Sequence, residues 1–153
     1  MLISIVTATF NRVGTVGAAI RSVQEQSHAD IEHLIQDGGS TDGTLEVIES
    51  LADGRTRVVS ERDGGLYDAL NRGLARATGD VIGLMHSDDA YAHDRVLEKV
   101  ADAFENPEID GVYGDLDYVA ADGSGRVVRH WRSGPYRPEK LARGWMPPHP
   151  TLY

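Results

Sequence analysis

Val81-Ile82-Gly83-Leu84-Met85-His86-Ser87-Asp88-Asp89 is an apolar run that stops at two adjacent carboxylates. A short apolar run bounded by turn residues reads as a buried strand, of the kind found in parallel sheets. In an open α/β sheet, ligands sit just beyond the carboxyl ends of such strands. Asp88 and Asp89 are therefore expected at the mouth of a crevice, as hard oxygen ligands suited to Mg2+ or Mn2+.

Working outward, the same alternation recurs through the first two thirds of the chain. Residues 2–8 and 31–36 are β-rich and mostly apolar, and 57–60 form a shorter strand. Between them, Val16, Ala19, Ile20 and Val23 mark a helix over 15–26 with Thr15 as its N-cap. Leu45, Ile48 and Leu51 mark a second helix. Leu66, Leu70, Gly73, Leu74 and Ala77 mark a third, over 66–77, which Thr78-Gly79 is expected to close. The strand at 80–85 follows, then a helix over 94–104 stopped by Asn106-Pro107. Strand alternating with helix predicts a mostly parallel central sheet flanked by helices. The last third is more antiparallel: a strand at 111–115, a hairpin pairing 117–121 with 126–131 around Asp122-Gly123-Ser124-Gly125, then loop and short helix.

Bulk properties narrow the function. The chain has 153 residues, the size of one domain. It has no cysteine, so disulfides and thiolate metal sites are excluded. A formal charge of −9 argues against broad nucleic-acid binding. It also means that an anionic ligand needs a metal or local arginines beside it. No basic segment precedes the first strand, and no stretch approaches the length of a membrane span. A cytoplasmic protein is the expectation, with peripheral association at the inner membrane face left open.

Four loops fall at the carboxyl ends of four consecutive strands: 9–12, 37–42, 62–68 and 86–89. Their polar groups should converge on one edge of the sheet. Taken singly, each has a plainer meaning. Residues 37–43 could be an Asx-type turn heading a helix, and Asp88-Asp89 a solvated pair capping the next one. Asp68 and Asn71 could simply face solvent. Arg126, Arg129, Arg132, Arg137 and Arg143, with Trp131 and Trp145, could clamp phosphates or a lipid-linked acceptor, or form a solvated basic face.

The ordered series Thr-Ala-Thr-Phe-Asn-Arg, Asp-Gly-Gly-Ser-Thr-Asp-Gly-Thr, Glu-Arg-Asp-Gly-Gly-Leu-Tyr-Asp-Ala-Leu-Asn-Arg-Gly, Ala-Thr-Gly-Asp and His-Ser-Asp-Asp resembles family 2 glycosyltransferases, from Met1 to at least Asp115. The nearest likeness is to colanic-acid-type and other bacterial polysaccharide transferases. The resemblance implies a GT-A fold, Rossmann-like, and an inverting transfer from a UDP-, GDP- or TDP-linked sugar to a glycan or lipid-linked acceptor. It places Thr7, Thr9 and Asn11 by the nucleoside, Asp37 at the base or ribose, Arg62 and Asp63 beside the base, Asp68 and Asn71 near the sugar or first loop, and Ser87 with the donor. Asp88 and Asp89 then resemble the family's Asp-x-Asp metal motif, with His86 where its first Asp often stands. The family usually has two acidic residues before Gly-Ser, and here the second position is Gly38. Pro147-Pro148-His149-Pro150 resembles a loop that precedes the family's catalytic base, so the general base is expected beyond Tyr153 and the domain to be incomplete at its C-terminus. The competing expectation is a module that binds nucleotide-sugar and metal without turnover.

Overall fold

The computed structural model describes residues 1–153. Four parallel strands form the main sheet: β1 (Ile3–Thr9), β2 (Ile31–Asp37), β3 (Thr56–Ser60) and β4 (Val81–Leu84), in the order β3-β2-β1-β4. All of β1 is buried, as a central strand covered on both faces must be. Its side chains alternate between two helical layers. Ile3 and Ile5 pack with Ala19 and Val23 of α1 (Val16–Gln24) and with Leu97 and Val100 of α4 (Val96–Phe104). Val6 and Ala8 point the other way, onto Ala69 and Leu70 of α3 (Leu66–Leu74). Ile35 of β2 joins Val16, Ile20 and Ile48, the last from α2 (Thr44–Leu51). The core is a three-layer sandwich, and most of the apolar positions marked in the sequence fill it; Leu66 does not, half exposed at the head of α3.

Three local expectations need correction. Thr15 does precede α1, but its hydroxyl makes no capping bond. The first turn is instead anchored by Thr15 and Val16 N–H groups donating to the Arg12 carbonyl. α3 ends at Leu74, not at Ala77, with Ala75 still in right-handed geometry. Gly79 is needed for room: a Cβ there would meet Ser4 Oγ at 2.6 Å and the Leu2 carbonyl at 2.7 Å. Residues 111–115 form no strand. Only Val112 pairs, exchanging backbone bonds with Tyr153 at 3.0 and 2.8 Å.

The hairpin is present as β5 (Leu116–Val119) and β6 (Val127–Trp131), a separate antiparallel pair with an irregularity at Tyr118/Val119. A short helix, α5 (Pro138–Leu141), and a 3-10 turn at His149–Thr151 follow. This region is tied down by Asp115, which accepts from Arg132 and Ser133, and by Thr151, whose hydroxyl bonds the Gly114 backbone. Tyr153 lies over Gly83 of β4 and meets Tyr91 hydroxyl to hydroxyl at 3.0 Å. No helix is long and apolar enough to cross a membrane.

Candidate active site

Parallel strands put all four carboxyl-end loops on one edge, and there they enclose a cavity of about 800 Å3. That volume suits a ligand of nucleotide-sugar size. β1 contributes Thr9 with Phe10 and Arg12 beyond it; β2 contributes Gly38 and Gly39; the loop after β3 contributes Arg62 and Asp63; the loop after β4 contributes His86, Ser87 and Asp88. Of the residues singled out in the sequence, Thr9, Arg62, Asp63, Ser87 and Asp88 therefore share one wall system. Two of them bear on ligand chemistry directly. Thr9 Oγ1 is buried and has no protein partner, so it is a polar atom waiting for one. The Asp88 carboxylate is exposed and accepts no hydrogen bond from the protein.

The remaining candidates stand outside the cavity lining. Asp37 was expected to face the cleft with Asp63 and Asp88, but it is fully buried behind the wall that Gly38 and Gly39 present. Its Oδ2 accepts from Gly39 N–H at 3.2 Å, Ser40 N–H at 3.0 Å and Ser60 Oγ at 2.6 Å, and its Oδ1 accepts from Ser40 Oγ. A carboxylate with this many donors is the organiser of its loop. Asn11 sits at φ 52° and clasps the first loop to the second: its N–H donates to Ser40 Oγ and its Oδ1 accepts from Thr41 N–H. Thr7 is buried against His33 Nε2 at 2.9 Å. Asp68 accepts from Gly64 N–H and pairs with Arg72 at 2.9 Å, bracing the loop before α3. Those bonds to Gly64 and then Arg72 hold its carboxyl below the usual range. Asn71 lies exposed on α3, away from the cavity lining.

Sequence reasoning passed over two residues at the cavity and one beside it. Phe10 and Arg12 line it, and both stand in the loop already marked as ligand-facing. His149 reaches the β4 loop from the far end of the chain, its Nε2 3.0 Å from His86 Nε2 with the rings edge to face. Nothing in the linear text pairs those two histidines. Burial pushes the Asp89 carboxyl upward and Asp88 adds to this, while His86 and His149 pull the other way. Asp89 does not line the cavity.

No three acidic or imidazole side chains converge to hold a cation unaided. Mg2+ and Mn2+ do not require such a cage when phosphates are present, because they take one or two carboxylates plus phosphate oxygens and water. Asp88, unpaired at the cavity with His86 on the same lining, fits that mode.

Residues 4–151 match the Glycosyl transferase family 2 model. The chain belongs to glycosyl transferase family 2. An uncharacterized glycosyltransferase of Nostoc sp. is 32% identical over 146 residues, which is 93% of this chain and 44% of that protein. A PGL/p-HBAD biosynthesis glycosyltransferase of Mycobacterium tuberculosis is 36% identical over 120 residues, 75% of this chain and 46% of the relative. The family 2 chain thus spans less than half the length of these relatives. Its fold is that of GT-A glycosyltransferases. S. aureus TarS in complex with UDP-GlcNAc superposes with a TM-score of 0.73 at 22% identity, over 82% of this chain and 37% of that one. A mannosyltransferase of Pyrobaculum calidifontis in complex with GDP-Man and Mn2+ gives 0.69 at 22% identity, over 76% and 35%.

Proposed function

We propose that this chain binds a nucleotide-diphospho-sugar and a divalent cation, and serves an inverting sugar transfer to a glycan or lipid-linked acceptor in bacterial polysaccharide biosynthesis. One observation carries the reading: Arg12, Arg62, Asp63 and Asp88 come from three different loops and line a single cavity. The two guanidiniums offset an otherwise acidic protein where a diphosphate would lie, and their planar forks suit phosphate oxygens. Asp88 would hold Mg2+ or Mn2+. Such an ion supplies Lewis-acid stabilisation to a leaving diphosphate. Thr9 Oγ1, buried and unpartnered, gains a hydrogen bond when a ligand fills the cavity. UDP-, GDP- and TDP-linked sugars are the candidate donors, and a cytoplasmic setting at the inner membrane face would give access to a lipid-linked acceptor.

A second reading, donor binding without turnover by these residues alone, is favoured by Asp115. Inversion needs a general base for the acceptor hydroxyl. Asp115 closes the segment that the sequence reads as a strand after the metal loop, but Arg132, then Ser133, bring its carboxyl down to about 2. A group so acidic is a poor base at neutral pH.

Thermal shift with UDP, GDP and TDP, with and without Mn2+, tests the proposal. A ligand at about 100 times its Kd adds about 2.7 kcal/mol to stability. A cation-dependent rise in Tm supports the site. No rise with any of the three, or a rise that Asp88→Asn leaves unchanged, removes it. Transfer of radiolabelled sugar by the chain separates the two readings.

A further inference from the structure

We propose that the β5–β6 hairpin is a docking surface that seats this chain on bilayers containing anionic lipid. This surface is separate from the nucleotide cavity and is left unused by the proposed transfer. Residues 116–145 carry six Arg and Lys against three Asp and Glu, in a chain whose formal charge is −9. Two of those acids are taken up locally: Asp117 pairs with His130 at 2.6 Å, and Asp122 accepts from Ser124 within its own turn. Arg132 is held by Asp115. Arg126, Arg129, Arg137 and Arg143 pair with no carboxylate. An unneutralised cationic patch on an acidic protein attracts a partner of opposite sign.

Charge alone would fit any polyanion, and the apolar side chains decide among them. Val119 stands opposite Val127, and Val128 is the extra residue at the irregularity beside them. Val119 is 57% exposed and Val128 54%. No other element packs closely on the hairpin, and a two-stranded pair by itself is marginal in water. On the same ribbon Tyr118 and Trp131 stack at 6.5 Å, with the Arg129 guanidinium 5.4 Å from the first ring and 5.8 Å from the second. Aromatic rings layered with guanidiniums beside exposed aliphatics suit the headgroup zone of a bilayer, where rings and stems are buried and the charge meets phosphate. A soluble polyanion would leave the valines in water.

The hairpin also stands at the edge where the cavity opens. Tyr153 lies over Gly83 of β4, while His149 meets His86 further along the same strand and loop. Val112 pairs with Tyr153 and Gly114 with Thr151, so this segment climbs toward the carboxyl end of β4 before the hairpin begins. Given the sugar transfer proposed above, a lipid-linked acceptor in that bilayer would arrive on the donor side of the sheet.

Co-sedimentation of the full chain with vesicles, without nucleotide, tests this. The vesicles are phosphatidylcholine alone or phosphatidylcholine doped with phosphatidylglycerol. The chain should bind the anionic vesicles at about 0.1 M salt and mostly leave them at about 1 M, where the Debye length falls from about 10 to about 3 Å. Each arginine near an anionic surface is worth about fivefold in affinity, so Arg126→Gln with Arg129→Gln should weaken binding about twentyfold. Val119→Ser with Val128→Ser should weaken it by about tenfold or more. Both double variants should keep the wild-type Tm, with and without UDP and Mn2+, so a loss of docking is distinct from a loss of fold or of donor binding. No binding to anionic vesicles, equal binding to both vesicle types, or binding that the arginine substitutions leave unchanged overturns the proposal. So does binding to heparin as tight as to vesicles and indifferent to the valine substitutions, which would assign the surface to a soluble polyanion. Failure of UDP, GDP and TDP to bind removes the donor-site reading and leaves the vesicle result standing.

Discussion

His86 and His149 bring their Nε2 atoms to 3.0 Å across 63 positions of chain. The contact closes the C-terminal segment onto the loop that carries Asp88. His86 lines the cavity with Asp88, and an imidazole near a bound cation favours Mn2+ over Mg2+. His149→Ala is therefore expected to weaken Mn2+-dependent nucleotide binding by about tenfold, the lower end for loss of a group that supports a metal site. Mg2+-dependent binding should change less. Parallel titrations with the two ions check this, and an equal loss with both would reassign the histidine pair to loop packing.

Asp37 gives the opposite kind of prediction. Its carboxylate is buried and surrounded only by donors. Asp37→Asn turns one acceptor into an amide donor aimed at other donors. Leaving such a group unsatisfied costs about 1–3 kcal/mol, and more where a charged bond is lost. The variant should lose about 2–4 kcal/mol of stability in urea unfolding. Its remaining folded fraction should keep the Mn2+-dependent nucleotide binding proposed for the wild-type chain.

Much of the architecture was legible because fully buried parallel strands are written as apolar runs. Residues 3–9 and 31–37 are legible on that ground, and Gly38-Gly39 mark where the second ends; 81–84 read the same way but lie at a sheet edge, where Ile82 is 39% exposed. Residues 111–115 misled because strand propensity is only half of a strand: Val112 finds a partner in Tyr153 and its neighbours find none. Asp37 misled for a different reason. The same carboxylate can receive a ligand or organise a turn, and the choice depends on Ser60, which arrives from an adjacent strand. The convergence of Thr9, Arg62, Asp63, Ser87 and Asp88 followed from topology alone. The arrival of His149 did not, since it depends on how an irregular segment folds back.

Gly73 tests the layer beneath the cavity. It faces β1 from α3, and a Cβ there would overlap Val6 Cγ1. Alanine is the better helix former by up to about 1 kcal/mol. Overpacking a tight core costs about 1–3 kcal/mol. Val6 is buried on a central strand and cannot retreat, so the clash should win. Gly73→Ala is expected to lower stability by about 1–2 kcal/mol net. A Tm equal to or above that of the wild-type chain would mean that α3 can shift off the sheet.

His33 sets a pH limit on the fold. The ring is buried on β2 with Nε2 against Thr7 Oγ1 and Nδ1 without a partner. Burial is the main cause that takes its pKa down from 6.5 to about 4; Asp53 opposes this and Arg55 adds to it. Above pH 6.5 the ring is neutral in both folded and unfolded chains and contributes no slope. Between 6.5 and 4 the unfolded chain takes up the proton first, so stability falls as pH falls. Below 4 both states are protonated and this penalty stays at its full value, about 3 kcal/mol at roughly 1.4 kcal/mol per pH unit. Ring NMR shifts should show His33 neutral at pH 5, and His33→Gln should flatten part of the decline in urea stability between pH 6.5 and 4. A ring that titrates near 6.5 in the folded protein would place water or a second partner at Nδ1.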